Sequence, residues 1–247
     1  MKNESSFEHE RELFDSGYDF VIGIDEAGRG PLAGPVVACA CTLRTSDVLR
    51  QEDTLSRHPM SQLIRDSKTL SEKQRESLYD FIFENFYVGV GICDHRTIDR
   101  INILEATYLA MKSAVSQLRS KIKRQNAKLQ CKIQDFNTRY QIPDTKYIIL
   151  VDGNKSIPNL SIEQRAIVNG DKIVKSISAA SIVAKVTRDR IMREFHEKYP
   201  EYCFDKHKGY GTAAHMAKIR EFGSCEIHRK SFEPIRSLIK SKCKNQK

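Results

Sequence analysis

Apolar residues in this chain fall into short alternating or continuous runs and into longer stripes of helical period. Tyr18 to Asp25 is a run of the first kind, carrying Phe20, Val21, Ile22 and Ile24, and PVVACACTL (35–43) follows it across a glycine loop. Both read as strands, and the short loop between them makes them a hairpin. FYVGVGI (86–92) alternates apolar residues with mostly glycine, KYIILVD (146–152) is a short apolar strand ending in Asp152, and QRAIV (164–168) is a weaker one. Helical stripes lie between and after them. Ser71 and Gln74 form a capping box ahead of Leu78, Phe81 and Ile82. Asn102 and Glu105 open a second helix whose Leu104, Tyr108, Met111, Val115 and Leu118 suit a crossover packed on a sheet. SAASIVAKVTRDRIMREFHEKY (178–199) is a long helix stopped at Pro200, and Thr212 and Gly223 bracket one more. The pattern predicts an α/β protein: a mixed five-stranded sheet flanked by helices over residues 1–200, then a helical C-terminal extension over 201–247.

Composition narrows the setting. A length of 247 residues suits one large domain with an appendage. A net charge of +9 draws the molecule towards polyanions such as nucleic acid. No apolar run approaches the ~20 residues of a spanning helix, and MKNESSFEHERELF does not read as a secretory signal. Seven cysteines, odd in number and without a C-x-x-C pair, argue against a disulfide framework or a structural zinc and for a reduced, cytoplasmic protein. Two stretches look looser: RSKIKRQNAKLQCK (119–132), with six basic residues and no acid, and the tail KSKCKNQK. Both read first as a solvated helix end and a frayed terminus.

Candidate chemistry gathers in GIDEAGRGPLAGP (23–35). Its glycines loosely match a dinucleotide fingerprint, but a strand follows where that motif needs a helix, and the adjacent acids would repel a pyrophosphate. Adjacent Asp25 and Glu26 suit hard divalent cations instead. Two carboxylates ~4 Å apart repel by about 4 kcal/mol at an effective dielectric near 20, so such a cluster calls for a counter-cation. Taken alone the pair is equally a solvated charged turn. Asp152, at the carboxyl end of a strand, and Asp171, in VNGDK, are the available partners, although Asp171 also reads as a helix cap. Neighbouring strand residues face opposite ways, so Glu26 is expected where the strand bends into the glycine loop. Gly28-Arg29-Gly30 offers bare backbone that can approach a sugar or phosphate, including an RNA 2′-hydroxyl.

These residues, together with DSKTLSEKQR (66–75), NILEATYLAM (102–111), VDGNK (151–155), GDKIVKSISAASIVAKVTRD (170–189), HKGYGT (207–212) and HRKSF (228–232), resemble the bacterial ribonuclease HII family. The resemblance implies a ribonuclease H-like fold and a monomeric endonuclease acting on RNA–DNA hybrids and on ribonucleotide-containing DNA. It implies two divalent cations, Mg²⁺ or Mn²⁺, held by Asp25, Glu26, Asp152 and Asp171. It further implies recognition of the ribonucleotide by Gly28, Arg29 and Gly30, with Tyr210 against the sugar; phosphate contacts are expected from Arg29, Lys68, His228, Arg229 and Lys230. Gly211 stands where many relatives have proline, and residues 119–141 look like a basic insertion. Two other readings stay open: a non-catalytic nucleic-acid-binding protein, and a metal phosphatase acting on small esters.

Overall fold

The computed structural model describes residues 5–44, 58–133 and 145–244. Five strands form one mixed sheet in the order β3-β2-β1-β4-β5: β1 (Phe20–Ala27), β2 (Val36–Leu43), β3 (Phe86–Cys93), β4 (Tyr147–Asp152) and β5 (Glu163–Ile167). The first three are antiparallel neighbours, so β1 and β2 are the expected hairpin, and β4 and β5 run parallel to β1. β2 is buried along its whole length. Its residues alternate between two cores, Val37, Cys39 and Cys41 on one face and Val36, Ala38 and Ala40 on the other.

The helices in chain order are α1 (Glu8–Asp15), α2 (Glu72–Asn85), α3 (His95–Ile101), α4 (Ile103–Ile133), α5 (Lys175–Lys198), α6 (Ala213–Phe222) and α7 (Ile235–Lys244), with shorter turns between them. Ser71 and Gln74 make the expected capping box of α2. The Asn102 carboxamide starts α4, its Oδ1 accepting from the amides of Leu104 and Glu105 at 2.9 and 3.1 Å. α4 covers one face of the sheet through Tyr108, Met111, Val115 and Leu118, and α5 covers the other through Ile177, Ala180 and Val183. The basic stretch from residue 119 continues α4 as far as Ile133, whereas the rest of the expected insertion, 134–141, lies outside the described residues.

Beyond Pro200 the chain builds a third core, in which Tyr202, Phe204, Ile219 and Ile227 pack on Leu32, Ala33 and Met192. The C-terminal residues therefore cover the glycine loop itself. Cys39, Cys41 and Cys93 are free and buried. Among the described residues no helix is long and apolar enough to cross a membrane.

Candidate active site

β1 and β4 pair as far as Ile24–Val151, and β1 then continues against β2 alone. The parting leaves a notch at the carboxyl ends of both strands, where open α/β sheets bind ligands. Asp25 and Asp152 project from these ends, and Asp171 arrives in the short turn Gly170–Ile173 that precedes α5. One carboxylate oxygen from each of the three lies within 4.8 Å of the others, Asp25 and Asp171 buried and Asp152 partly so. The Asp171 amide donates to Asp152 Oδ1 at 3.4 Å. Ser178 of α5 donates to the Asp171 carbonyl at 2.9 Å. Ser181, one turn on, hydrogen-bonds Asp25 and meets the Ser67 hydroxyl at 2.9 Å.

Glu26 does not lie in a bend. β1 stays regular through Ala27, which pairs with Val37, so Glu26 shares the face of Ile22 and Ile24, opposite Asp25. It lines a cleft of about 340 Å³ on the α4 side with Asp152, Asn154 and Lys155. The two acids thus approach the notch from opposite faces of the sheet's end, which the parting of β1 from β4 permits.

Electrostatics mark this as a place for cations. Burial raises the Asp25 carboxyl well above the usual range, and Glu26 and Asp152 add to the shift. Burial also raises Glu26, against the pull of Arg29, and raises Asp152, with Asp171 contributing. Exposed Lys68 reaches Asp171 Oδ2 at 3.3 Å, and Arg29 reaches Glu26 at 3.3 Å. Burial works against the charge on Lys68, but Asp171, Asp66 and Asp25 together outweigh it and the ammonium is stabilised.

The glycine loop is braced from behind. Fully buried Arg229 donates to the carbonyls of Gly28 (2.6 Å), Arg29 (3.0 Å), Gly34 (3.0 Å) and Pro35 (3.1 Å). Arg188 donates to those of Pro35 (2.9 Å), Ala33 (3.1 Å) and Lys208 (3.0 Å). Burial lowers Arg188 to about 10, and burial with Arg188 close by lowers Arg229 to about 9. Gly28, at φ +98°, is in a conformation that glycine alone adopts freely, and a Cβ there would collide with the Arg188 side chain. Tyr210 is exposed at the rim, and a Cβ on Gly30 would stand 3.8 Å from its ring.

The structure thus gathers Asp25, Asp152 and Asp171, sets Glu26 beside them, and brings Gly30 and Tyr210 face to face. Lys68 and Lys230 are exposed. His228 and Arg229 are corrections: both are sealed in the interior and present no surface to a phosphate. Arg188 and Ser181 were missed. Arg188 had a signal, since Ala184, Arg188 and Met192 form one buried stripe of α5 at four-residue spacing, and a charge there needs partners.

The family model described as Ribonuclease HII matches residues 22–235. The chain belongs to the ribonuclease HII family. A ribonuclease HII of Caldicellulosiruptor bescii is 44% identical over 94% of this chain and 95% of its own. The ribonuclease H2 of Pyrococcus horikoshii OT3 superposes with a TM-score of 0.61 at 25% identity, over 92% of this chain and 100% of that one. Bst-RNase HIII, solved in complex with Mn²⁺, shares the fold at a TM-score of 0.53 and 16% identity, over 91% of this chain and 70% of that one. Family and fold make this protein an endoribonuclease with a ribonuclease H fold.

Proposed function

We propose that this endoribonuclease hydrolyses the RNA strand of RNA–DNA hybrids and also cuts duplex DNA at single embedded ribonucleotides, leaving 5′-phosphate and 3′-hydroxyl ends. The observation that carries the reading is the meeting of three aspartates in one notch, beside a bare backbone loop faced by Tyr210. All-oxygen donors, desolvated and close together, suit Mg²⁺ or Mn²⁺. Asp25, Asp152 and Asp171 would hold one cation, and Glu26, from the other side of the notch, would help hold a second. Bound divalent cations supply a nucleophilic water at neutral pH and offset charge on the leaving 3′-oxygen.

The chain's own groups do the rest. Main-chain N–H groups of the Gly28-Arg29-Gly30 loop, whose Gly28 and Arg29 carbonyls are turned inwards to Arg229, test for the 2′-hydroxyl. Tyr210 packs against the sugar. Exposed Arg29, Lys68 and Lys230 engage phosphates and set register, and the +9 charge makes binding steeply salt-dependent. The protein acts as a monomer.

The test is a cleavage ladder on duplex DNA carrying one ribonucleotide, with Mn²⁺ and with EDTA. Cutting at the ribonucleotide is expected only with metal. Asp25→Asn should lower turnover at least about a hundredfold while duplex binding persists. Full activity of that variant removes Asp25 from the chemistry, and cutting in EDTA removes the metal.

A further inference from the structure

Away from the acids, three histidines lie beneath the Tyr210 turn. His207 stacks on His215 with ring centroids 4.3 Å apart, and His215 Nε2 lies 3.1 Å from His228 Nε2. His215 and His228 have no solvent exposure. The backbone fixes where their protons sit. His215 Nδ1 is 2.9 Å from the Tyr210 carbonyl, which only accepts, so this nitrogen carries its hydrogen. His228 Nδ1 receives the Cys225 amide at 2.9 Å, so this nitrogen is bare. One hydrogen is left between the rings: His228 Nε2 donates it and His215 Nε2 accepts. A chain of neutral donors therefore runs from the Cys225 amide through both imidazoles to the Tyr210 carbonyl. His207 follows the same logic, Nε2 donating to the Tyr202 carbonyl at 2.8 Å and Nδ1 accepting from the Gly209 amide at 3.2 Å. Burial lowers His215 and His228 to about 4, so this neutral arrangement holds at neutral pH.

Apolar side chains would fill this interior without needing partners, so the place where the chain ends is informative. It ends on the main chain of Tyr210, whose ring stands 43% exposed opposite Gly30. The same turn is tied to the glycine loop, because the Leu32 amide donates to the Gly209 carbonyl at 2.8 Å and Arg188 holds Lys208 together with Ala33 and Pro35.

We propose that His215, itself oriented by His228, is a positioning residue for ribonucleotide recognition: its Nδ1–H fixes the Tyr210 backbone and so the stance of the ring over Gly28-Arg29-Gly30. This rests on the reading of Tyr210 as the residue that packs against the sugar.

Two variants at one position separate positioning from bulk stability. His215→Asn places an amide N–H where Nδ1 stood, keeping the bond to Tyr210 and losing the one to His228. His215→Gln places a carbonyl where Nε2 stood, keeping His228 and losing Tyr210. Each removes one buried bond, so their losses in melting temperature should be similar. With the one-ribonucleotide duplex, His215→Gln should raise KM about tenfold and His215→Asn by no more than about threefold. Mn²⁺ affinity, measured by calorimetry, should stay at the wild-type value in both. Equal KM values, or the reverse order, overturn the proposal. Tyr210→Ala is run alongside. Wild-type KM there overturns the sugar-packing reading itself, whereas a raised KM there with wild-type KM in His215→Gln overturns only the role of the histidine. A third measurement needs no variant: nitrogen NMR of histidine-labelled wild-type protein should find hydrogen on Nδ1 of His215 and on Nε2 of His228, and the opposite tautomers overturn the assignment.

Discussion

Arg229 shows how much a single side chain does in this molecule. Its guanidinium fork meets four carbonyls of the glycine loop, and the partners lie up to 201 residues away in the chain. Lysine offers one nitrogen in place of a planar fork, so Arg229→Lys cannot reach the Gly28, Arg29 and Gly34 carbonyls together, and only the Pro35 carbonyl keeps a second donor, Arg188. The variant should lose about 2–4 kcal/mol of stability in urea titration. Its KM for a ribonucleotide-containing duplex should rise, because the Gly28 and Arg29 carbonyls lose their mould. An unchanged urea midpoint would show that the loop holds its shape unaided. The acids were legible in the sequence because Asp25, Asp152 and Asp171 each sit where a strand end or a glycine marks a site. Arg229 and His228 were not, because adjacent basic residues near a C-terminus look like surface, and only the packing of the extension over the glycine loop makes them interior.

Elements fit together here through missing side chains. β3 carries Gly89 and Gly91 against α4, and a Cβ on either would collide with the backbone carbonyl of Ala114 or Ala110. Gly91→Ala must push the helix outwards or strain it, which should destabilise the protein by about 3 kcal/mol, read by urea titration with the circular-dichroism spectrum unchanged. A loss under about 0.5 kcal/mol would mean that the helix shifts freely. The same helix guards the sheet's edge: Gln117 accepts from the Val90 amide at 3.1 Å and Lys121 donates to the Val88 carbonyl at 2.7 Å. Such capping blunts an edge that would otherwise pair with another chain. The alternation of FYVGVGI identified the strand, yet nothing local says that its glycines admit a helix. The length of α4 was hidden for a different reason. Positive charge drew attention in residues 119–132, whereas Leu118 and Ile122 simply extend the buried stripe and no glycine or proline ends it.

Across the whole molecule, two buried clusters titrate in opposite senses and bound its stability. His215 and His228 fall from 6.5 to about 4 on folding. A base whose folded pKa is depressed stabilises the fold above its unfolded value, and that stability drains away as pH falls from 6.5 towards 4, on the order of 3 kcal/mol for each histidine. Asp25, Glu26 and Asp152 are raised by burial and by one another. Acids raised on folding act the other way: their contribution is present below the unfolded pKa and is lost as pH rises through the folded one. In metal-free protein the two clusters therefore oppose each other as pH rises from about 4, the histidines adding stability up to 6.5 while the carboxylates remove it. A divalent cation relieves only the carboxylates, so the increase in melting temperature given by Mn²⁺ should grow with pH and vanish in acid. Asp25→Asn removes the most strongly raised of these acids, so its metal-free melting temperature should exceed the wild type at neutral pH and respond weakly to Mn²⁺. Scanning calorimetry from pH 4 to about pH 9, in chelator and in Mn²⁺, reads all of this. A metal shift that is constant with pH, or larger in acid, would mean that the cation binds somewhere other than the three aspartates.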